Sequence, residues 1–169
     1  RTPVSGSPVW WWGYQPKLVD LIYLARTLPD TTTILIRCGG PLGVGPYAAK
    51  RDEIFERWSQ DIVALAACDN VVAKLGGLNM DFNGFGWENR PKPPTSQELV
   101  DATRRYFDHA IDQFGIDRCM FESNFPVDML SCSYNILWNS FKTMTANRPA
   151  ADRAKLFHGT ATRIYRLDA

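Results

Sequence analysis

The sequence is poor in histidine. It holds two, His109 and His158, and neither stands at the end of an apolar, β-branched run. A conventional zinc site takes three or four well-placed nitrogen, sulfur or oxygen ligands, so histidine cannot build one here, and no metal site is expected in this chain. Both histidines read as surface or helix-capping residues. Close cysteine pairs are missing as well. Cys38, Cys68, Cys119 and Cys132 are scattered, which excludes a zinc knuckle or a redox pair and leaves four small buried hydrophobes. Nor is there an excess of one charge, since nineteen basic residues face eighteen acidic ones for a formal charge of +1. A nucleic-acid binder would show a basic face or stripe, so no such partner is expected. No apolar run approaches a membrane span, and the N-terminus lacks the basic, apolar, small-residue order of an export signal. Reduced thiols and a cytoplasmic location follow as the expectation.

What is present fits one globular domain. The chain has 169 residues, 45% hydrophobic and 22% charged, enough to bury a substantial core. It opens at Arg1, without methionine, in a polar, turn-rich stretch over residues 1–8, and reads as if cut from something longer. After that, strand and helix patterns alternate four times. Strands are predicted over residues 9–14, 32–38, 70–75 and 118–122. The first helix starts at Pro16 and places Leu18, Leu21, Ile22 and Ala25 on one face. The second turns Ile54, Trp58, Ile62 and Leu65 inward. Thr95 and Glu98 form a capping box for the third, whose core face runs from Leu99 through Tyr106 and Phe107 to Phe114. The tail is helical over 134–144, 150–157 and 160–165.

Four successive βα units imply an α/β fold with a parallel sheet and right-handed crossovers. Periodicity leaves two architectures open, a doubly wound sheet and a (β/α)8 barrel. Either one puts function in the loops after the strands' C-terminal ends. An open nucleotide-binding sheet has less support, because no strand leads through a phosphate-cradling glycine pattern directly into a helix, and Pro41 removes an amide donor from the glycine-rich turn.

The strand ends read Tyr14-Gln15-Pro16, then Arg37-Cys38-Gly39-Gly40-Pro41-Leu42-Gly43, then Lys74-Leu75-Gly76-Gly77, then Phe121-Glu122-Ser123-Asn124-Phe125-Pro126-Val127-Asp128. The stretch from Cys119 to Asp128 with Ser133-Tyr134 and Leu137-Trp138 resembles the last strand and following helix of the amidohydrolase-2 (amidohydrolase-related) family. The glycine-proline turn at 39–43 and the closing run Leu156-Phe157-His158-Gly159-Thr160-Ala161 are similar to the same family, in the same order. The resemblance covers about Trp12 to Leu167. It implies the C-terminal half of a TIM barrel, strands five to eight, in a single domain over 1–169 that is N-terminally incomplete. Such a barrel needs about 250 residues. A missing N-terminal half or a second copy of the chain is therefore the expected partner, beside a small-molecule substrate.

The family often binds a divalent metal such as zinc, and here the resemblance also implies departures. Gln15 and Arg37 stand where its fifth and sixth strands present histidine, and Asn124 stands where many members carry aspartate. Arginine does not deprotonate to ligate a metal, and an amide cannot act as a general base near neutral pH. The remaining chemistry rests on Glu122, Asn124 and Asp128 as catalytic candidates. Gln15, Arg37, Lys74, Trp87 and Arg90 are the substrate-binding candidates.

Each has a structural alternative. Glu122 could simply pair with a basic neighbour, and for Lys74 an ion pair with Glu122 is favoured over a substrate carboxylate. Arg37 could hold an anion bidentately or turn to solvent. Trp87 and Arg90 lie in a long loop, 78–94, that is either a lid or a packed surface loop. The run Trp10-Trp11-Trp12 reads as core and interface packing. The resemblance thus implies hydrolysis of a small anionic lactone, amide or ester by carboxylate-activated water, with decarboxylation as a variant. The alternative is a catalytically inactive half-barrel serving as a binding or association module.

Overall fold

In a computed structural model the protein is described over residues 7–167; residues 1–6, with the reading of a cut end, lie outside them. Four strands, β1 (Val9–Trp11), β2 (Thr33–Leu35), β3 (Val71–Leu75) and β4 (Cys119–Phe121), form one sheet in chain order. Each neighbouring pair is parallel and in register, with Thr33 beside Val71 and Ala73 beside Cys119. Helices α1 (Leu18–Thr27), α2 (Arg51–Ala66) and α3 (Ser96–Phe114) connect successive strands. After β4 come α4 (Tyr134–Met144), α5 (Ala150–Ala154), a π-helical turn over Lys155–Gly159, and α6 (Thr160–Tyr165). This is the parallel α/β arrangement that the alternation implied.

Because side chains alternate along a strand, the sheet divides its apolar residues between two cores. Leu35, Ala73, Leu75 and Phe121 face the helices and pack with Leu21, Trp58, Phe107 and Phe141. Ile34, Val72 and Met120 point the other way, toward what would be a barrel interior, and are buried under Ala161, Ile164 and Tyr165 of α6. Trp10 shares that inner face yet stays 62% exposed, and Trp12 50%. The first strand is thus an open edge, because among the described residues only β2 pairs with it.

The helix signals act as predicted. The Thr95 hydroxyl accepts from the Glu98 amide at 3.2 Å, and the Glu98 carboxylate accepts from the Thr95 amide at 2.8 Å. At the strands' N-terminal rim, polar side chains satisfy helix C-terminal carbonyls. Asn70 Nδ2 donates to the Ala25 and Leu28 oxygens, and the Arg118 guanidinium donates to those of Ala66, Cys68 and Phe114. All four cysteines are buried free thiols. Among the described residues no helix is long and apolar enough to cross a membrane.

Candidate active site

At the opposite rim, where the strands end, five of the predicted residues join in one chain of contacts. Lys74 and Glu122 both project from the sheet's inner face, and Lys74 Nζ meets Glu122 Oε2 at 2.6 Å. The other carboxylate oxygen accepts the backbone N–H of Arg37 at 2.6 Å. The Arg37 Nε then donates to Asn124 Oδ1 at 2.9 Å, and Asn124 Nδ2 donates to Asp128 Oδ1 at 2.7 Å. The favoured reading of Lys74 as an ion-pair partner is what the geometry contains.

The backbone makes this possible by leaving extended conformation early. Arg37 and Cys38 take φ of 54° and 51°, and Asn124 also sits at 54°. Non-glycine residues hold this left-handed region at a cost of about 1–3 kcal/mol each, and only where their surroundings enforce it. Here the enforcement comes from both sides of the sheet. Trp58 Nε1, in α2, donates to the Cys38 carbonyl at 2.8 Å, while Glu122 and Asn124 hold Arg37 from the inner side. Gly77, at φ 65°, completes the fit: a Cβ there would lie 2.8 Å from Arg37 Cγ.

The two carboxylates sit in different surroundings. Glu122 retains 11% side-chain exposure and lies against a cation. Asp128 is fully buried, and its Oδ2 has no hydrogen-bond partner. Burial pushes the Asp128 carboxyl up to about 6; the Asn124 and Asn79 amides and Arg37 pull it down, and the nearby Glu122 charge raises it. The folded state therefore holds this proton more tightly than the unfolded chain does. The contribution to stability is fully present at acid pH and is lost as pH rises from about 4 to about 6. On the order of 3 kcal/mol of stability should disappear across that window, and Asp128→Asn should remove that part of the dependence. Urea unfolding of both proteins from pH 4 to pH 7 checks this: parallel stability curves would contradict it.

An aromatic wall borders the cluster. The Arg37 guanidinium lies over Trp12, 5.1 Å from the ring centroid, Trp12 meets Tyr14 at 5.5 Å, and Tyr14 meets Phe82 at 5.0 Å. Sequence reasoning treated Trp12 as packing. The signal that could have found it is the period of two, which puts Trp10 and Trp12 on the same face as Lys74 and Glu122.

Three candidates stand apart from this chain of contacts. Gln15, 1% exposed, turns toward α2 and approaches Asp61 without completing a hydrogen bond. Trp87 stacks on Phe85 at 5.8 Å, and Arg90 covers Trp87 and pairs with Glu98 at 2.9 Å. Arg51 closes the ladder over Phe85 at 4.0 Å, so this part of the loop is fastened between the starts of α2 and α3. His109 bonds the Ser59 carbonyl through Nε2. Among the described residues, no three His, Cys, Asp or Glu side chains converge as a metal cluster.

Known proteins share this arrangement of elements. The sequence profile of the Amidohydrolase family matches residues 13–167. An uncharacterized protein y4mH from Sinorhizobium fredii is 36% identical over 91% of this chain and 45% of its own length. An L-fucono-1,5-lactonase from Burkholderia multivorans is 29% identical over 93% of this chain and 54% of its own. An amidohydrolase from Burkholderia multivorans, solved with bound zinc, superposes with a TM-score of 0.79 at 27% identity, covering 93% of this chain and 51% of that one. The chain thus spans about half the length of the relatives it matches, and its four strands correspond to half of a TIM-barrel amidohydrolase. With nearly all of the described residues inside the profile and the strand-end motifs in their places, the chain belongs to the amidohydrolase family.

Proposed function

We propose that this chain carries one wall of a hydrolase site that opens a small anionic lactone, ester or amide. The observation that supports this most is the convergence of Lys74, Glu122, Arg37 and Asn124 at the C-terminal ends of parallel strands, where this architecture places its chemistry. The likeness to a lactonase points to acyl transfer to water. The opposite wall of the site would come from outside the segment seen here.

Glu122 is the group assigned to water. It reaches the rim, whereas Asp128 is sealed beneath Asn124. Water adds to the carbonyl carbon as its proton passes to the Glu122 carboxylate, and the same proton then goes to the departing alkoxide or amine, so that the acyl bond breaks with no net proton change. Arg37 holds the substrate's negative charge, and Lys74 stays paired with Glu122. Asn124, fixed by Arg37 and Asp128, positions the carbonyl.

The residues present do not fit a divalent metal. Both Glu122 oxygens and Asn124 Oδ1 already accept hydrogen bonds or an ion pair, and two of the groups around them are cations.

The test is turnover by the full chain against sugar lactones, aryl esters and small amides. Glu122→Gln should lower kcat by about 100-fold or more while thermal unfolding stays cooperative. Asp128→Asn, acting through Asn124, should instead flatten the pH profile near 6. Turnover that survives Glu122→Gln would refute the assignment.

A second reading has its own support. Glu122 is saturated with partners, and Val9, Trp10 and Trp12 leave the β1 edge apolar and exposed, as suits an inactive half-barrel that associates with a second copy or another chain. Wild-type protein that turns over nothing in the screen, and whose mass in solution exceeds that of one chain, would favour it.

A further inference from the structure

We infer that the strand-end cluster is a carboxylate-binding site, with Arg37 as the anion ligand, and that it excludes divalent cations. This deepens the proposed function in that it rests on the same rim of the sheet, but it does not depend on turnover.

Three observations carry it. First, Arg37 spends only its backbone N–H and its Nε inside the cluster. Its two terminal nitrogens make no hydrogen bond to any described residue, and they form the planar, two-pronged donor that matches a carboxylate.

Second, the guanidinium is held in place before any ligand arrives. Asn124 fixes one edge and Trp12 supports one face, so little side-chain freedom is lost on binding. The left-handed backbone at Arg37 is itself pinned through Glu122 and Trp58. An arginine turned loosely to solvent would show none of this.

Third, the placement of charge selects the ligand. Lys74 is paired with Glu122 at 2.6 Å, and Asp128 lies buried below the rim and meets Arg37 only through Asn124, so the positive charge that faces the rim is that of Arg37. A single positive charge suits a monocarboxylate. It repels Zn2+ or Mg2+, and every oxygen a cation would need at the rim is already engaged.

The experiment is isothermal titration of the full chain with sodium benzoate and, separately, with zinc chloride, with tryptophan indole NMR as a second readout. Benzoate should bind one per chain and shift the Trp12 indole signal. Arg37→Asn, chosen because asparagine tolerates the left-handed region, should weaken benzoate about tenfold or more, and Arg37→Lys should fall between the two. Lys17→Met, on the exposed start of α1, should change nothing. Zinc should show no binding that Glu122→Gln removes.

Unchanged benzoate affinity in a folded Arg37→Asn protein would overturn the inference, and so would zinc bound one per chain and lost in Glu122→Gln. Benzoate binding without turnover would refute the hydrolase reading and leave this one standing. Turnover without Arg37-dependent benzoate binding would do the reverse.

Discussion

Trp58→Ala is expected to lower the unfolding free energy by about 4 kcal/mol, a large part of the 5–15 kcal/mol that holds a typical domain. The side chain is fully buried at the centre of an aromatic cluster, with Phe55 at 5.7 Å, Tyr106 at 5.1 Å and His109 at 5.7 Å. Truncation removes the contacts of all three and strands the Cys38 carbonyl, which has Trp58 Nε1 as its donor. Trp58→Phe separates the two effects. It keeps most of the ring packing and should cost about 1 kcal/mol for the lost hydrogen bond, but it loosens the turn that aims Arg37. The phenylalanine variant should therefore stay folded yet bind benzoate more weakly, since the strained residues 37 and 38 lose their support from the helix side. Urea unfolding and benzoate titration on the two variants check this. A Trp58→Phe protein with wild-type affinity would show that the turn holds itself.

Glu122→Ala should cost about 3 kcal/mol at neutral pH. The argument concerns what is left behind more than what is removed. Lys74 keeps only 21% of its side chain in contact with water, so its ammonium would face an apolar strand surface without a counter-ion, and the Arg37 N–H would lose its acceptor. Because these penalties belong to partners, the double variant Glu122→Gln with Lys74→Met should be more stable than Glu122→Gln alone, although it carries one more substitution. A strictly additive cycle, or a single variant as stable as wild type, would show that the pair is well solvated and contributes little.

Much of the frame was readable because it depends on periodicity and punctuation. Helix α4 runs from Tyr134 to Met144 as its apolar spacing predicts, and the Thr95–Glu98 box opens α3. The strands are where reading overran. Residues 9–14 read as one strand, but β1 stops at Trp11, and Gln15 gives its amide to the Gly40 carbonyl instead of extending the ladder. Residues 32–38 likewise read as one strand, but β2 stops at Leu35, and Arg37 and Cys38 turn left-handed. β-propensity cannot register that turn, because partners distant in sequence, Glu122 and Trp58, enforce it. The overruns therefore fall on the residues that build the site, which is where local preference and tertiary demand part company.

The same division explains which site residues were legible. Lys74 and Glu122 are charges on adjacent strands, two residues out of step in register but on the same face, and the expected pairing needs only strand order and the alternation of side chains. The relay from Arg37 through Asn124 to Asp128 needs two left-handed residues and a buried carboxylate, none of which leaves a periodic trace. Gln15 could be placed at a strand end but not assigned a direction, and it turned toward α2.

The inner core of the sheet has a timing of its own. Ile34, Val72 and Met120 are covered by α6, which follows every strand in the chain. During synthesis the helix-facing core can form unit by unit as each βα pair leaves the ribosome. The opposite face stays uncovered until α4, α5 and the π-helical turn have emerged as well. Completion of the helix-facing core likewise waits for Phe141 and Leu156, so both faces of the sheet are completed only by the helices that follow the last strand.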